Sequence, residues 1–167
     1  MLKYFNKSFV TNFFLILSIF CLDRFSKIYV ISFNEKNYGS DLYNSKFLNI
    51  NLIWNEGIAF GLFSFSDKFF YHILTFLIGL VILIILIMLK KSEGLKKYSL
   101  LMILGGALGN FYDRIFFEAV PDFIDFHVEN FHWFIFNVSD IFISMGVIFM
   151  IILEVISNKK EHINENN

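Results

Sequence analysis

The sequence predicts an all-α membrane protein with four transmembrane helices and a small extracytoplasmic β-sheet between the first and second helices. Three observations support this fold class: an apolar composition, four long apolar stretches, and one segment with alternating polarity. Of the 167 residues, 56% are hydrophobic and 17% are charged, whereas soluble proteins average about 45–50% and about 25%. An apolar run of about 20 residues spans a bilayer as a helix, because open sheet edges are not tolerated in lipid.

The four apolar stretches cover about residues 9–33, 69–89, 98–116 and 138–156. No linker or repeat separates them, so we expect one integral membrane domain over residues 1–167. Because lysines precede the first stretch, it resembles a signal peptide. Its apolar run continues past Cys21, however, so we interpret it as an uncleaved first helix.

The lysines predict the orientation. The positive-inside rule places lysine-rich short loops and ends in the cytoplasm. Eight lysines would share one side of a four-span protein, and three would lie on the other. Both termini are therefore predicted to be cytoplasmic, with segments 34–68 and 117–137 outside. The eight are Lys3, Lys7, Lys90, Lys91, Lys96, Lys97, Lys159 and Lys160, and the three are Lys36, Lys46 and Lys68.

Segment 34–68 contains a predicted strand. In "KFLNINLIW", apolar residues alternate with Asn49 and Asn51, which is the period-two pattern of a strand with one apolar face. Gly57 and Gly61 follow and indicate tight turns or a close backbone approach. We expect this segment to form a small sheet on the outer membrane surface.

Polar side chains recur at helical spacing on three of the four predicted spans, and the second span has no such stripe. Ionisable residues within spans mark functional sites by default. The stripes gather near the outer boundary, whereas an ion pathway also needs polar groups at the midplane. They comprise Asp23, Ser26 and Lys27 on the first span, Gly106, Asn110, Asp113 and Arg114 on the third, and Asn137, Asp140 and Ser144 on the fourth.

Several other kinds of site are disfavoured. The net charge of −1 gives no support for nucleic-acid binding, and a single cysteine excludes an intramolecular disulfide. Ser26 and Lys27 diverge by about 100° on a helix, which argues against a serine–lysine dyad. His127 and His132 show no third ligand at metal-site spacing. We therefore expect neither a metal nor a cofactor.

Five blocks occur in order along the chain: "DRFSK" (23–27), "NEGIAFG" (55–61), "GGALGNFYDR" (105–114), "VPDFIDF" (120–126) and "FNVSD" (136–140). Together they resemble the motifs of the lipoprotein signal peptidase family, also called signal peptidase II. The resemblance implies an aspartic endopeptidase of the bacterial cytoplasmic membrane, with its active site at the outer face. Its substrates would be prolipoproteins, cut just before a cysteine that carries diacylglycerol.

The resemblance also implies roles for individual residues. Asp122 and Asp140 match the two catalytic aspartates. Pro121 stands where an aliphatic residue is usual, and Ser139 where alanine is commoner. Residues expected to bind substrate or shape the site are Asn55, Gly57, Asn110, Arg114 and Asn137, and the structural polar residues are Asp23, Lys27 and Asp113.

Two neighbouring carboxylates suit amide hydrolysis, because they share one proton and can act as general base and general acid. Alternatives remain open. Asp125 competes with Asp122, although a strand would point them to opposite faces. Asp140 could act only as a helix cap. At the level of function, the alternatives are a small proton-coupled transporter and a structural subunit whose polar stripes only hold helices together.

Overall fold

The computed structural model describes residues 7–57 and 68–165, and the predicted turn at Gly61 lies outside these ranges. Within these ranges the chain forms four helices and four strands. The elements are α1 (Lys7–Lys36), β1 (Tyr43–Asn44), β2 (Leu48–Asn55), α2 (Lys68–Lys91), α3 (Gly94–Phe117), β3 (Val120–Val128), β4 (Phe131–Phe136) and α4 (Val138–Glu165).

Three helices in the described part of the chain are long and apolar enough to cross a membrane: Tyr71–Lys91, Gly94–Phe117 and Val138–Ser157. The four predicted helices are all present as helices. The first, α1, is 30 residues long, but its charged residues interrupt the apolar run. A fourth span through α1 therefore stays a prediction.

Helix α3 is central and contacts α1, α2 and α4. Small residues on α3 allow α4 to approach closely. A Cβ atom at Gly106 would lie 2.5 Å from the backbone oxygen of Ser139, which no real Cβ tolerates. Close helix contact through small residues is a common way of packing helices in membranes, and here it fixes the start of α4 against α3.

The four strands form one antiparallel sheet in the order β1-β2-β3-β4. Strand β2 confirms the strand predicted from alternation. The prediction that the sheet comes only from segment 34–68 was wrong, because β3 and β4 come from the expected loop 117–137. Strand β3 was not predicted because its residues from Val120 to Phe123 are all buried. A strand that is buried on both faces lacks the alternation of apolar and polar residues that indicates a strand.

A cluster of four charged side chains joins α1 to α3. Lys27 Nζ lies 2.9 Å from Asp23 Oδ1 and 2.7 Å from Asp113 Oδ2. Arg24 Nη2 lies 2.8 Å from Asp23 Oδ2 and donates to Asp113 Oδ2 at 2.6 Å. Lys27, Asp23 and Asp113 are fully buried. The predicted Asp23–Lys27 pair is thus present, within a larger cluster.

The same cluster reaches α4. The backbone N–H of Ser139, in the first turn of α4, donates to Asp23 Oδ1 at 3.0 Å. A carboxylate at a helix N-terminus satisfies an otherwise unpaired N–H and interacts favourably with the helix dipole. Asp23 therefore acts as a cap supplied by another helix, and one charged cluster positions three helices.

Replacing Lys27 with methionine tests the cluster. Removing one partner of a buried ion pair costs about 3–5 kcal/mol, because the remaining charges are left uncompensated. We expect Lys27→Met to lower the unfolding temperature in detergent by roughly 10 °C, measured by circular dichroism. Lys96→Met is the control, because the Lys96–Glu154 pair is half exposed and such pairs contribute little. Equal effects of the two substitutions would contradict the proposed importance of the cluster.

Replacing Gly109 with alanine tests the close approach of the helices. The added Cβ would lie 2.3 Å from Ser139 Oγ and 2.6 Å from Asp23 Oδ2, and Asp23 is held by its ion pairs. We expect a clear loss of thermal stability. Gly79→Ala is the matched control: its Cβ meets only the Phe111 ring at 3.4 Å, and alanine gains about 1 kcal/mol of helix propensity over glycine. A tolerated Gly109→Ala would show that α3 and α4 can separate at low cost.

Candidate active site

Asp122 lies in strand β3 with its carboxylate held by two amide groups. Asn55 Nδ2, from the end of β2, donates to Oδ2 at 2.8 Å, and Asn137 Nδ2 donates to Oδ1 at 2.6 Å. Only 4% of Asp122 is exposed. Both partners are neutral, so they fix the orientation of the carboxylate without supplying a positive charge.

Asp140 lies in the first turn of α4 and forms a reciprocal cap with Asn137. The Asp140 N–H donates to Asn137 Oδ1, and the Asn137 N–H donates to Asp140 Oδ2, each at 3.1 Å. This is the geometry of a capping box. Asp140 therefore does form the predicted helix-cap contact, but this contact occupies only one of its two carboxylate oxygens. The same Asn137 contacts both aspartates and brings them together.

Asn110 connects Asp140 to the buried charges. Its Nδ2 donates to Asp140 Oδ1 at 2.8 Å, and its Oδ1 accepts from Lys27 Nζ at 2.8 Å. Because Lys27 can only donate, it fixes which end of the amide faces Asp140. Lys27 thus orients the Asn110 amide, and this neutral amide separates the lysine charge from the Asp140 carboxylate.

Arg114 supports the other side of the site. Its guanidinium donates to the Gly57 carbonyl, and the Gly57 N–H donates to Asn55 Oδ1 at 2.9 Å. Arg114 thereby holds the chain that aims Asn55 at Asp122. Arg114 does not pair with its neighbour Asp113, since Asp113 is occupied by Lys27 and Arg24. The two side chains diverge because adjacent helix residues do not face each other.

The second span contributes to the site, although it was predicted to carry no polar stripe. Tyr71, in the first turn of α2, is buried and donates its hydroxyl to the Arg114 carbonyl at 3.0 Å. Its ring also lies 5.7 Å from the Arg114 guanidinium. A single tyrosine produces no periodic signal, but tyrosine is enriched where a span meets the membrane interface.

The electrostatics of Asp122 are unusual. Burial, and to a lesser extent the nearby Asp140 carboxylate, raise the pKa of Asp122 to about 6. The hydrogen bonds from Asn55 and Asn137, and the more distant charge of Lys27, oppose this rise in part. Two close carboxylates favour one shared proton, so the arrangement keeps a protonated and an ionised carboxyl side by side up to about pH 6.

Both aspartates line two largely apolar cavities. One, of about 370 Å³, is bordered by Phe134, Phe136 and Ser144. The other, of about 310 Å³, is bordered by Asn55, Asn110 and Arg114 together with apolar residues of α2 and α3. Apolar pockets with a few convergent polar groups are typical of ligand sites, and here the convergent groups are the two carboxylates.

Asp125 does not take part in this arrangement. Its Oδ2 lies 2.8 Å from His132 Nδ1, and it borders neither of the two cavities that contain Asp122 and Asp140. An odd separation along a strand places the two side chains on opposite faces. Glu118 is exposed at the end of α3. Among the acids of segment 109–126, only Asp122 borders these two cavities together with Asp140.

The comparisons with known proteins agree on one family. The model of the family described as "Signal peptidase (SPase) II" matches residues 15–156. The chain is 48% identical over 161 residues to the lipoprotein signal peptidase of Pelagibacter ubique, covering 96% of each chain. It is 37% identical over 153 residues to that of Francisella tularensis subsp. novicida, covering 89% of this chain and 93% of the relative.

The fold also matches solved structures. A bacterial membrane enzyme shares it with a TM-score of 0.69 and 26% identity over 90% of each chain. A second bacterial membrane enzyme matches with a TM-score of 0.65 and 27% identity, covering 86% of this chain and 91% of the other. With the family model covering most of its length, the chain belongs to the signal peptidase II family.

Proposed function

We propose that this protein is a membrane aspartic endopeptidase that removes the signal peptide from diacylglyceryl-modified prolipoproteins, cutting before the lipidated cysteine. The observation that carries the proposal is the joint placement of Asp122 and Asp140, both bonded to Asn137 and both lining the same cavities. Membership of the family and the printed names of its relatives support the substrate class.

The proposed chemistry needs two carboxylates with one proton between them. The ionised member takes a proton from water, whose oxygen adds to the scissile carbonyl carbon. The protonated member donates to the carbonyl oxygen. When the carbon–nitrogen bond breaks, a proton from the pair reaches the leaving nitrogen. Neither aspartate is permanently the base, because the titration belongs to the pair.

The surroundings suit an apolar substrate. The cavity of about 370 Å³ is walled by apolar side chains of β4 and α4, including Phe136, Ile141 and Ile148. A lipidated segment would bury its apolar surface there while the scissile bond meets the carboxylates at one end. Exclusion of water also strengthens the hydrogen bonds that hold the pair.

We further propose four spans, with both termini in the cytoplasm and the site at the outer face. In support, Asp122 lies in the sheet, Asp140 in the first turn of α4 and Asn110 near the end of α3, so all three share one end of the helices. The lysine-rich α2–α3 connection lies at the opposite end of α3, as the positive-inside rule requires of a cytoplasmic loop. The transporter alternative finds no support in the comparisons.

Substituting either aspartate tests the proposed pair. We expect Asp122→Asn and Asp140→Asn each to lower cleavage of a purified diacylglyceryl-modified prolipoprotein by at least about 10²–10⁴-fold, the contribution typical of general acid–base catalysis. Cleavage is measured in detergent micelles by the gel shift of the released mature protein.

Glu129→Gln is the matched control, because Glu129 is an exposed carboxylate in the turn of the same sheet. It should cleave like the wild type. Unfolding temperatures of all variants separate lost chemistry from lost folding. If a folded Asp122→Asn or Asp140→Asn variant retains cleavage, the pair is not the catalytic centre, as a structural subunit would also predict.

The raised pKa of Asp122 predicts a pH dependence. A carboxyl with a raised pKa keeps its proton up to about pH 6, and above that pH the pair loses the shared proton that the general acid supplies. We expect kcat/KM to fall as pH rises through about 6, since this ratio reports ionisations of the free enzyme. A rate that is constant or rises between pH 5 and about 8 would show that no shared proton is needed.

A further inference from the structure

Strands β3 and β4 bring three side chains together at the outer hairpin. His132 of β4 stands opposite His127 of β3 in the strand register. The Nδ1 atoms of His132 and His127 lie 2.8 Å and 4.0 Å from Asp125 Oδ2. The two imidazole rings are stacked with their centroids 5.1 Å apart. Sequence reasoning missed this cluster because it treated the region as a loop.

The distances suit a metal ion. One ligand atom from each of Asp125, His127 and His132 lies within 4.8 Å of the others. Zinc bonds of about 2.0–2.2 Å in a tetrahedral site place neighbouring ligand atoms roughly 3.3 Å apart. Modest side-chain rotation would close the set around one ion.

Two buried atoms of the cluster have no hydrogen-bond partner in the described part of the chain. They are His127 Nδ1 and Asp125 Oδ1. A simple Asp125–His132 hydrogen bond leaves both unsatisfied, although buried polar atoms are nearly always paired with protein, water or an ion. A metal ion would engage His127 Nδ1 and neutralise the Asp125 carboxylate, which is 2% exposed.

We propose that Asp125, His127 and His132 form a binding site for a divalent transition metal, of which Zn²⁺ is the best match. Two imidazoles and one carboxylate favour zinc-like ions over Mg²⁺ and Ca²⁺, which prefer oxygen ligands. The His132 side chain is 51% exposed and leaves an entry path and a fourth position for water. The ion would clamp β3 to β4.

This site is separate from the proposed peptidase pair. Asp125 points away from the face of β3 that carries Asp122, and no catalytic step uses the metal. Failure of metal binding would leave the cleavage experiments with Asp122 and Asp140 unaffected, so the two proposals are tested independently.

Cobalt titration tests the site. Tag-free, full-length protein in detergent is titrated with Co²⁺, whose visible absorption reports tetrahedral ligation, and Zn²⁺ is then added as competitor. We expect one Co²⁺ per chain, displaced by Zn²⁺ but not by excess Mg²⁺. His127→Ala and His132→Ala should each weaken binding by more than the roughly 10–100-fold that loss of a second-shell contact costs. Glu129→Gln should bind normally.

Thermal unfolding provides the second readout. A ligand that binds only the folded state raises the unfolding temperature, so Zn²⁺ should stabilise the wild type and Glu129→Gln but not the His127→Ala/His132→Ala double variant. The unfolding temperatures without metal show whether the variants fold. Binding that persists in the double variant, or that depends on His132 and not on His127, would overturn the site.

Discussion

The largely buried ion cluster of Asp23, Arg24, Lys27 and Asp113 is the constraint on which the rest of the structure depends. Charges removed from water must be paired, and these four pair across α1 and α3. Asp23 also caps α4, so the relative positions of three helices follow from one electrostatic requirement. Glycines on α3 then allow the close approach that this pairing demands.

Neutral amide side chains connect this cluster to the candidate active site and fix the orientation of its carboxylates. Lys27 orients Asn110, and Asn110 orients Asp140. Asn137 joins Asp140 to Asp122, and Asn55 holds Asp122 from the sheet. The buried aspartates thus have two kinds of bonding partner. Asp23 and Asp113 are bonded to cations, as structural carboxylates are. Asp122 is bonded to amides, which fix its geometry while its pKa stays raised.

Much of this arrangement is visible in the sequence. The helices follow from long apolar runs, β2 from alternating polarity, and the three polar stripes from helical spacing. Asn110, Asn137 and Asp140 do converge, as stripes on facing helices predict. The hairpin of β3 and β4 was missed because β3 is buried on both faces in its first half. The cluster of Asp125, His127 and His132 was missed for the same reason, because its members meet only through strand pairing.

The sequence by itself determined which helix residues could face the site, since apolar runs and polar spacing follow from local chemistry and the bilayer's demand for helices. Asp122 and Asn55 lie outside these stripes and were indicated only by the resemblance of their motifs to the family. The sequence also determined that Asp122 and Asp125 face opposite ways once the segment is a strand. Only the tertiary structure decided the partners: Arg114 with Gly57 rather than Asp113, and Tyr71 with Arg114. Partners of this kind depend on contacts between residues far apart in the chain, and local patterns carry no information about those contacts.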